Sequence, residues 1–421
     1  MPAQTLAQKL LAAASGRDAV APGDIVTCRV DLAMFHDSSG PRRLKPMLES
    51  LGTGIWDRDK VVLVMDHYVP EADDESRRIV RIARDWAAEQ ALPHVYDSVG
   101  ICHVVVPEHG HIRPGMLCVG GDSHSPTGGA FGAYMFGVGS TEMLGVVASG
   151  EIWIQVPRTL MMHWDGTLAP GVTAKDMMLH MIGRFGMNGG RYQAVEFCGP
   201  AVRALSMQER MTLSNMSAEI GSQVGLVAPD EKTVAYLEQA GVARAMEIER
   251  WQSDPEADAE RYRFDASTLA PHVAAPHSPA NSRPVTDYPR TPMHVAYIGA
   301  CTGAKLEDLR AAASVLRGRR VAPGVTLMVA PASARDQRQA ESEGVMAALV
   351  GAGAAVLPNS CGACSGYGGS IPEGANVIAS TARNFQGRMG ARTAQVYLAS
   401  PYTVAAAAVA GHLIDPREML Q

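Results

Sequence analysis

From residue 294 to residue 361 short apolar runs alternate with helix-forming stretches, and no other feature constrains the fold as tightly. Residues 294–298, 325–330 and 354–357 read as strands, the last as a buried one. Between them, 305–316 (KLEDLRAAASVL) is rich in helix formers, and 334–350 has helical composition and length. A β-α-β-α-β order implies parallel strands joined by right-handed crossovers. Whatever follows a strand in such a sheet lies along one carboxyl edge, where open α/β sheets bind ligands.

Three cysteines fall on that edge. Cys301 lies just beyond the first strand, and Cys361 and Cys364 lie beyond the last, in Pro358-Asn-Ser-Cys361-Gly-Ala-Cys364-Ser-Gly-Tyr-Gly-Gly369. Small residues around a CxxC let backbone and cofactor come close. A CxxC alone reads as a redox pair, half a zinc site, part of an iron–sulfur site, or ordinary buried thiols. A structural zinc site closes with four ligands, and no fourth Cys or His follows nearby. Three cysteines can instead hold three irons of a [4Fe–4S] cluster, leaving the fourth iron without a protein ligand. An open iron is a Lewis acid for a hydroxyl or carboxylate. A further strand expected over 376–380 leads to Arg383-Asn-Phe-Gln-Gly-Arg388, which brings two guanidinium groups to the same edge as carboxylate clamps.

The rest of the chain supplies acids, bases and a core. Residues 5–14 read as a helix and 25–30 as a strand, followed by His36-Asp37 and then Arg42-Arg43. His36 and Asp37 fit either catalysis or local hydrogen bonding in a loop. The buried strand 61–65 ends in Asp66-His67, where a carboxylate can orient an imidazole and raise its pKa; a capping Asp with a surface His is the plainer alternative. The helix opened by Asp73 turns Ile79, Ile82 and Trp86 to the core. His103 sits inside the apolar run 101–106, where a satisfied core histidine is the plain alternative. After the strand 116–119, Gly121-Asp122-Ser123-His124 offers an acid, a hydroxyl and an imidazole within one turn, without the Gly-x-Ser-x-Gly spacing of a hydrolase elbow. Further on, 160–164 is a strand, Thr173 and Ser206 cap helices, and Glu196 stands inside an apolar strand, costly there unless protonated, paired or bound. Residues 265–292, rich in Pro, Ser and Ala, read as a linker between an N-terminal part (1–264, two intertwined α/β domains) and a C-terminal α/β domain (293–421).

Bulk properties exclude several function classes. A net charge of −6 with no basic block argues against nucleic acid and anionic membranes as partners. No apolar run is long enough to span a membrane, and Met1-Pro-Ala-Gln-Thr lacks the character of a signal peptide. Seven scattered cysteines are no disulfide framework, so a reducing, cytoplasmic setting is expected.

Together these stretches resemble the large subunit of the aconitase and isopropylmalate isomerase superfamily, nearly end to end. The resemblance is carried by Met65-Asp66-His67, by Arg113-Pro-Gly115 through Asp122-Ser-His124, by Thr173-Ala-Lys-Asp176 and by Val195-Glu-Phe197. It continues through Leu205-Ser-Met207 to Asn215-Met216, Ala228-Pro-Asp-Glu231, Cys301-Thr302, Cys361-Gly-Ala-Cys364 and Arg383-Asn-Phe-Gln-Gly-Arg388. It implies a three-domain core of doubly wound, mostly parallel sheets, without the swivelling fourth domain of single-chain aconitases. It also implies a [4Fe–4S] cluster on Cys301, Cys361 and Cys364 with one iron free. Asp66–His67 and His103–Asp122, with His124 beside them, would be acid–base pairs. Glu196 would contact the iron-bound water, and Arg383, Arg388, Ser123 and Arg42 would line the substrate. The activity implied is reversible dehydration of a small hydroxy di- or tricarboxylic acid: 3-isopropylmalate, homoaconitate, dimethylmalate, or citraconate and maleate as hydration substrates. A separate small subunit would supply the base serine and further arginines.

The chain departs from the pattern in three places. Gly303 stands where the family usually has Asn, two glycines precede Asp122 where isomerases commonly have Cys-Gly, and His36 to Arg43 replaces a loop ending in Ser-Pro-Gln. The altered loop places Arg42 and Arg43 either as a site for an extra anionic group, as in a dehydratase for another (for instance phosphorylated) hydroxy acid, or as solvated surface. Rival readings are a cluster-bearing sensor or RNA-binding regulator, and a zinc-bound or metal-free structural protein.

Overall fold

Three sheets built mainly of parallel strands organise the described residues, which in this computed structural model are 2–243, 247–367 and 371–420. The first sheet runs His94–Asp97, Val61–Met65, Leu32–His36, Leu117–Gly120, Tyr134–Gly137, every pair parallel. Val61–Met65 and Leu32–His36 are buried at every position, which is why they read as unbroken apolar runs and not as alternations. The second sheet has the order Val224–Val227, Ala194–Cys198, Thr159–Asp165, Glu260–Asp265, again parallel. The third holds five parallel strands, Gln395–Ala399, Asn376–Ala379, Val295–Ile298, Thr326–Val329 and Ala355–Val356. A two-stranded antiparallel ribbon joins Ile25–Arg29 to Glu151–Gln155.

The helices follow from local signals. Asp73 accepts from Ser76 N–H while the Ser76 hydroxyl reaches back, a capping box that opens Asp74–Glu89 and is worth about 1 kcal/mol. The buried face of that helix is Ile79, Val80, Ala83 and Trp86, with Ile82 at its margin. Thr5, Thr173 and Ser206 begin their helices with the same device.

The apolar run containing His103 is the helix Cys102–Glu108, buried on every side, so it lacks the polar face that would reveal a helical period. Three expectations are corrected. The stretch 334–350 is two helices, Ala334–Ser342 and Val345–Ala352, separated at Gly344 with φ 71°. The strand after them is only Ala355–Val356, an exposed edge and not a buried strand. Residues 265–292 are not a free linker. They contribute His272–Ala274 and Ser282–Pro284, which add antiparallel strands to the edge of the third sheet. Prolines suit such an edge, where a missing N–H costs no ladder bond.

The first and third sheets share one core: Leu32, Met34, Val62 and Val64 lie in the same apolar cluster as Ala296, Ile298 and Leu327. Backbone bonds stitch the two together, Ile101 N–H to Ala332 O at 2.8 Å and Ala334 N–H to Val99 O at 2.8 Å. That junction brings the carboxyl edges of both sheets to one crevice.

Candidate active site

The parallel strands Leu32–His36 and Val61–Met65 end side by side and deliver His36-Asp37 beside Asp66-His67. The two imidazoles stack at 3.8 Å with 11° between their planes. Asp66 is held at both oxygens: Oδ1 lies 2.7 Å from His67 Nδ1, and Oδ2 accepts the Cys102 N–H at 2.7 Å. Burial works against charge on His67, but the carboxylates of Asp66, Asp122 and Asp37 outweigh it and lift the imidazole to about 10. His36 is pushed down to about 3, by burial and then by the neighbouring His67 cation, so it is the neutral member of the stack. Asp37 accepts the N–H groups of His67 at 3.1 Å and Tyr68 at 2.8 Å, fixing the backbone on which His67 stands.

The strand Leu117–Gly120 brings in Asp122-Ser123-His124. Asp122 Oδ1 lies 2.7 Å from His103 Nε2 and accepts the His124 N–H at 2.8 Å. Its other oxygen lies 3.8 Å from Nε2 of both His36 and His67. Although burial opposes its charge, His103 and His124 hold Asp122 well below the usual carboxylate range. His124 Nε2 is 2.9 Å from Glu219 Oε1, and Arg383 donates to the same oxygen through Nε at 2.5 Å and to Ser123 Oγ through Nη1 at 2.8 Å. Acids and bases therefore pair in sequence across the crevice, each imidazole against a carboxylate.

The cysteines close the other side. The Cys361 N–H donates to the Asp66 carbonyl at 2.9 Å, so the CxxC turn is bonded directly to the acid–base pair. Cys364 lies on the turn Gly362–Ser365, with Arg388 Nη2 at 3.9 Å from its sulfur. Bonding from Cys361 draws the Cys364 thiol down to about 5 against the opposing effect of burial, with Arg388 assisting, while Cys361 is pushed up correspondingly. Cys301 Sγ accepts from Asn215 Nδ2 at 3.1 Å. Gly368 and Gly369, the end of the CxxC stretch, lie outside the described residues.

The donor set fits an anionic cluster better than zinc. All three cysteines are free thiols. Ligand atoms crowd within 4.8 Å in two groups among the described residues, His36–Asp37–Asp66–His67 and His103–Asp122–His124, and the three sulfurs form no such group. Zinc would need them about 3.8 Å apart, from Zn–S bonds of about 2.3 Å in a tetrahedron. Buried atoms without a partner line the crevice: Asn215 Oδ1, Arg388 Nε, Glu219 Oε2, and Nδ1 of His36 and His103. Such groups are costly unless something binds them.

Not every expected residue joins the site. Glu196 does not: its carboxylate accepts from Ser253 Oγ at 2.6 Å and, with Cys198, Arg203 and Arg261, lines a separate cavity of about 340 Å³. Ser253 Oγ in turn accepts the Leu6 N–H at 2.7 Å, so the acid buried in that strand helps anchor the first helix. Glu219 stands in the crevice instead. It lies on the turn Ser217–Ile220, directly after the helix Met207–Met216 whose Arg210, Thr212, Ser214 and Asn215 are all buried, and no local sequence signal marked it. Arg42 heads the helix Pro41–Leu51 and pairs loosely with Glu75 at 3.7 Å; Arg43 is exposed. Gly303 packs on Ser380 so closely that a Cβ would lie 2.2 Å from that side chain, which explains why no Asn stands there. Gly121 leaves the space that Ser39 Oγ fills, within 3.2 Å of His36 Nε2.

The profile of the aconitase family (aconitate hydratase) matches residues 8–411. The 3-isopropylmalate dehydratase large subunit 1 of Methanopyrus kandleri is 42% identical over 420 residues, 99% of this chain and 100% of that protein. The large subunits from Desulfatibacillum aliphaticivorans (39%) and Moorella thermoacetica (41%) match over 99% of both chains. Among solved structures, holo aconitase X of Thermococcus kodakaraensis is similar over 85% of this chain and 84% of its own, at 12% identity and a TM-score of 0.48, too weak a likeness to argue from.

Proposed function

The chain belongs to the aconitase family of hydro-lyases, and from that premise we propose that it is the large subunit of a [4Fe–4S] enzyme that dehydrates and rehydrates a 3-isopropylmalate-like hydroxy acid. The single observation that carries this reading is the bond from the Cys361 N–H to the Asp66 carbonyl, which ties the CxxC turn to the Asp66–His67 pair, with His103–Asp122 beside it.

Cys301, Cys361 and Cys364 would hold the cluster, and when bound it supplies a Lewis acid for the substrate hydroxyl. The remaining work falls to side chains. Hydroxide is a poor leaving group, so a proton must reach it as the bond breaks. His67, kept cationic by Asp66, and His103, oriented by Asp122, stand ready to deliver one. Arg383 and Arg388 hold the substrate carboxylates, and their charge stabilises the electron density that builds beside the carbon losing its proton. Glu219 keeps Arg383 and His124 aimed inward. A separate small subunit would supply the serine base and further arginines, so the chain alone should hold a cluster yet turn over poorly.

The test is anaerobic reconstitution of the chain together with its small subunit, followed by absorbance of the unsaturated product across a panel of hydroxy acids. Iron and sulfide uptake with product formation from 3-isopropylmalate is expected. Zinc without sulfide, or no product from any hydroxy diacid or triacid, would remove the reading.

A further inference from the structure

Lys175 is among the largest side chains fully buried in the molecule. It stands on the helix Ala174–Phe185, which shares an apolar cluster with the second sheet and lies against the edge strands His272–Ala274 and Ser282–Pro284 of the third. Its Nζ donates to three groups in loops that follow third-sheet strands. These are Thr302 Oγ1 at 3.0 Å, the Ser380 carbonyl at 2.7 Å and the Thr381 carbonyl at 2.8 Å. Thr302 follows Cys301, and Thr381 precedes Arg383 by two residues. One ammonium thus ties a cysteine loop to an arginine loop.

Its charge has no carboxylate to answer it. Lys305, the other buried lysine here, also touches the Cys301 loop, donating to the Cys301 carbonyl at 3.0 Å, but it is neutralised by Asp308 at 2.7 Å. Among the described residues no carboxylate lies within ion-pair distance of Lys175, and its three acceptors are neutral. Burying an ammonium against neutral oxygens is expensive unless an anion lies close by. Burial, with the neighbouring Lys305, holds the Lys175 ammonium down at about 7, although Asp308, Cys301 and Cys364 pull the other way.

We infer that Lys175 is the counter-ion and positioning residue for the group held by Cys301, Cys361 and Cys364. This rests on the reading that the group is an iron–sulfur cluster. The ammonium would favour the more reduced, more negative cluster and hold Cys301 in ligating position.

Lys175→Gln keeps hydrogen-bond donors and loses the charge; Lys175→Arg keeps the charge. Both are reconstituted anaerobically as full chains beside wild type, and iron and sulfide content, midpoint potential by spectroscopic titration, and melting of the apo-protein are read. Lys175→Gln is expected to melt like wild type but to be harder to reduce by about tenfold, a downward shift of about 59 mV for one electron. It should also lose iron to a chelator about tenfold faster, and Lys175→Arg should recover the potential. A Lys175→Gln chain that melts normally yet takes up no iron supports the inference as well. A loaded Lys175→Gln chain with the wild-type potential overturns it, as does an apo form that no longer folds, which would make Lys175 a structural strut. A wild-type chain that takes up neither iron nor sulfide overturns the cluster reading and this inference together, so the two failures are told apart.

Discussion

The two sides of the crevice are finished to different degrees. On the acid–base side the carboxylates pair within the chain: Asp66 with His67, Asp122 with His103, and Glu219 with His124 and Arg383. Only single atoms, Glu219 Oε2 and Nδ1 of His36 and His103, are left there without a partner among the described residues. On the thiol side Lys305 pairs with Asp308, but other polar groups are left without an answering charge or partner among the described residues. Lys175 faces neutral oxygens, and Arg388 Nε and Asn215 Oδ1 have no partner. The acid–base half is organised by pairs within the polypeptide, whereas the cysteine half carries a buried cation and buried polar atoms that the proposed cluster would answer. Low dielectric raises the stakes on both, since an unanswered buried charge costs far more than an exposed one.

The comparison breaks most sharply at Cys361. Cys361→Ser should fold, shown by an unchanged circular-dichroism spectrum, but lose its iron and sulfide, and turnover of the assembled enzyme should fall about a thousandfold or more. If activity survives, the thiol side contributes nothing to the chemistry. Asp122→Asn probes the opposite wall. The cluster absorbance should stay as in wild type while kcat drops by about 10²–10⁴-fold, the range for losing a positioned proton donor. A parallel loss of iron would show that the two sides are not separable. Arg383→Ala should raise KM by about 10–100-fold because a charge-assisted bond of about 1.5–3 kcal/mol is lost, and lower kcat as well because its charge also answers the carboxylate in the transition state; an unchanged KM would contradict the clamp.

The smallest effect concerns the joint between the sides. Glu108 Oε1 accepts from Ser333 Oγ at 2.6 Å, and burial, with Asp336 nearby, lifts its carboxyl from 4.5 to about 8. The folded chain therefore keeps a proton that the unfolded chain releases. Stability from this group is full below about 4.5, falls as the pH rises through the interval to about 8, and stays reduced above it. Glu108→Gln should flatten that decline, by on the order of 2–4 kcal/mol between pH 5 and 8 in denaturant melts. An unchanged slope would mean the joint relaxes and lets water reach the carboxyl.

Much of this could be read in the chain before any coordinates. The strand–helix alternation of 294–361 put Cys301 and the CxxC turn on one edge, and Asp66-His67 and Asp122-Ser-His124 announced themselves by following apolar strands. The run around His103 gave no element type from its residues, because a helix buried on every side has the same apolar sequence as a strand buried on both faces. The choice between Glu196 and Glu219 was also out of reach. Both are buried acids, and only their partners, Ser253 in one case and His124 with Arg383 in the other, separate an anchor from a site.

What the residues determined unaided was the set of local elements and the chemistry at their ends, because hydrophobic period, caps and turn-forming glycines act over a few positions. What the tertiary arrangement alone decided was which ends meet: the bond from Cys361 to Asp66, and the ammonium of Lys175 under the Cys301 loop. Such contacts join residues more than a hundred positions apart, and they depend on how the sheets pack together, which no local pattern encodes.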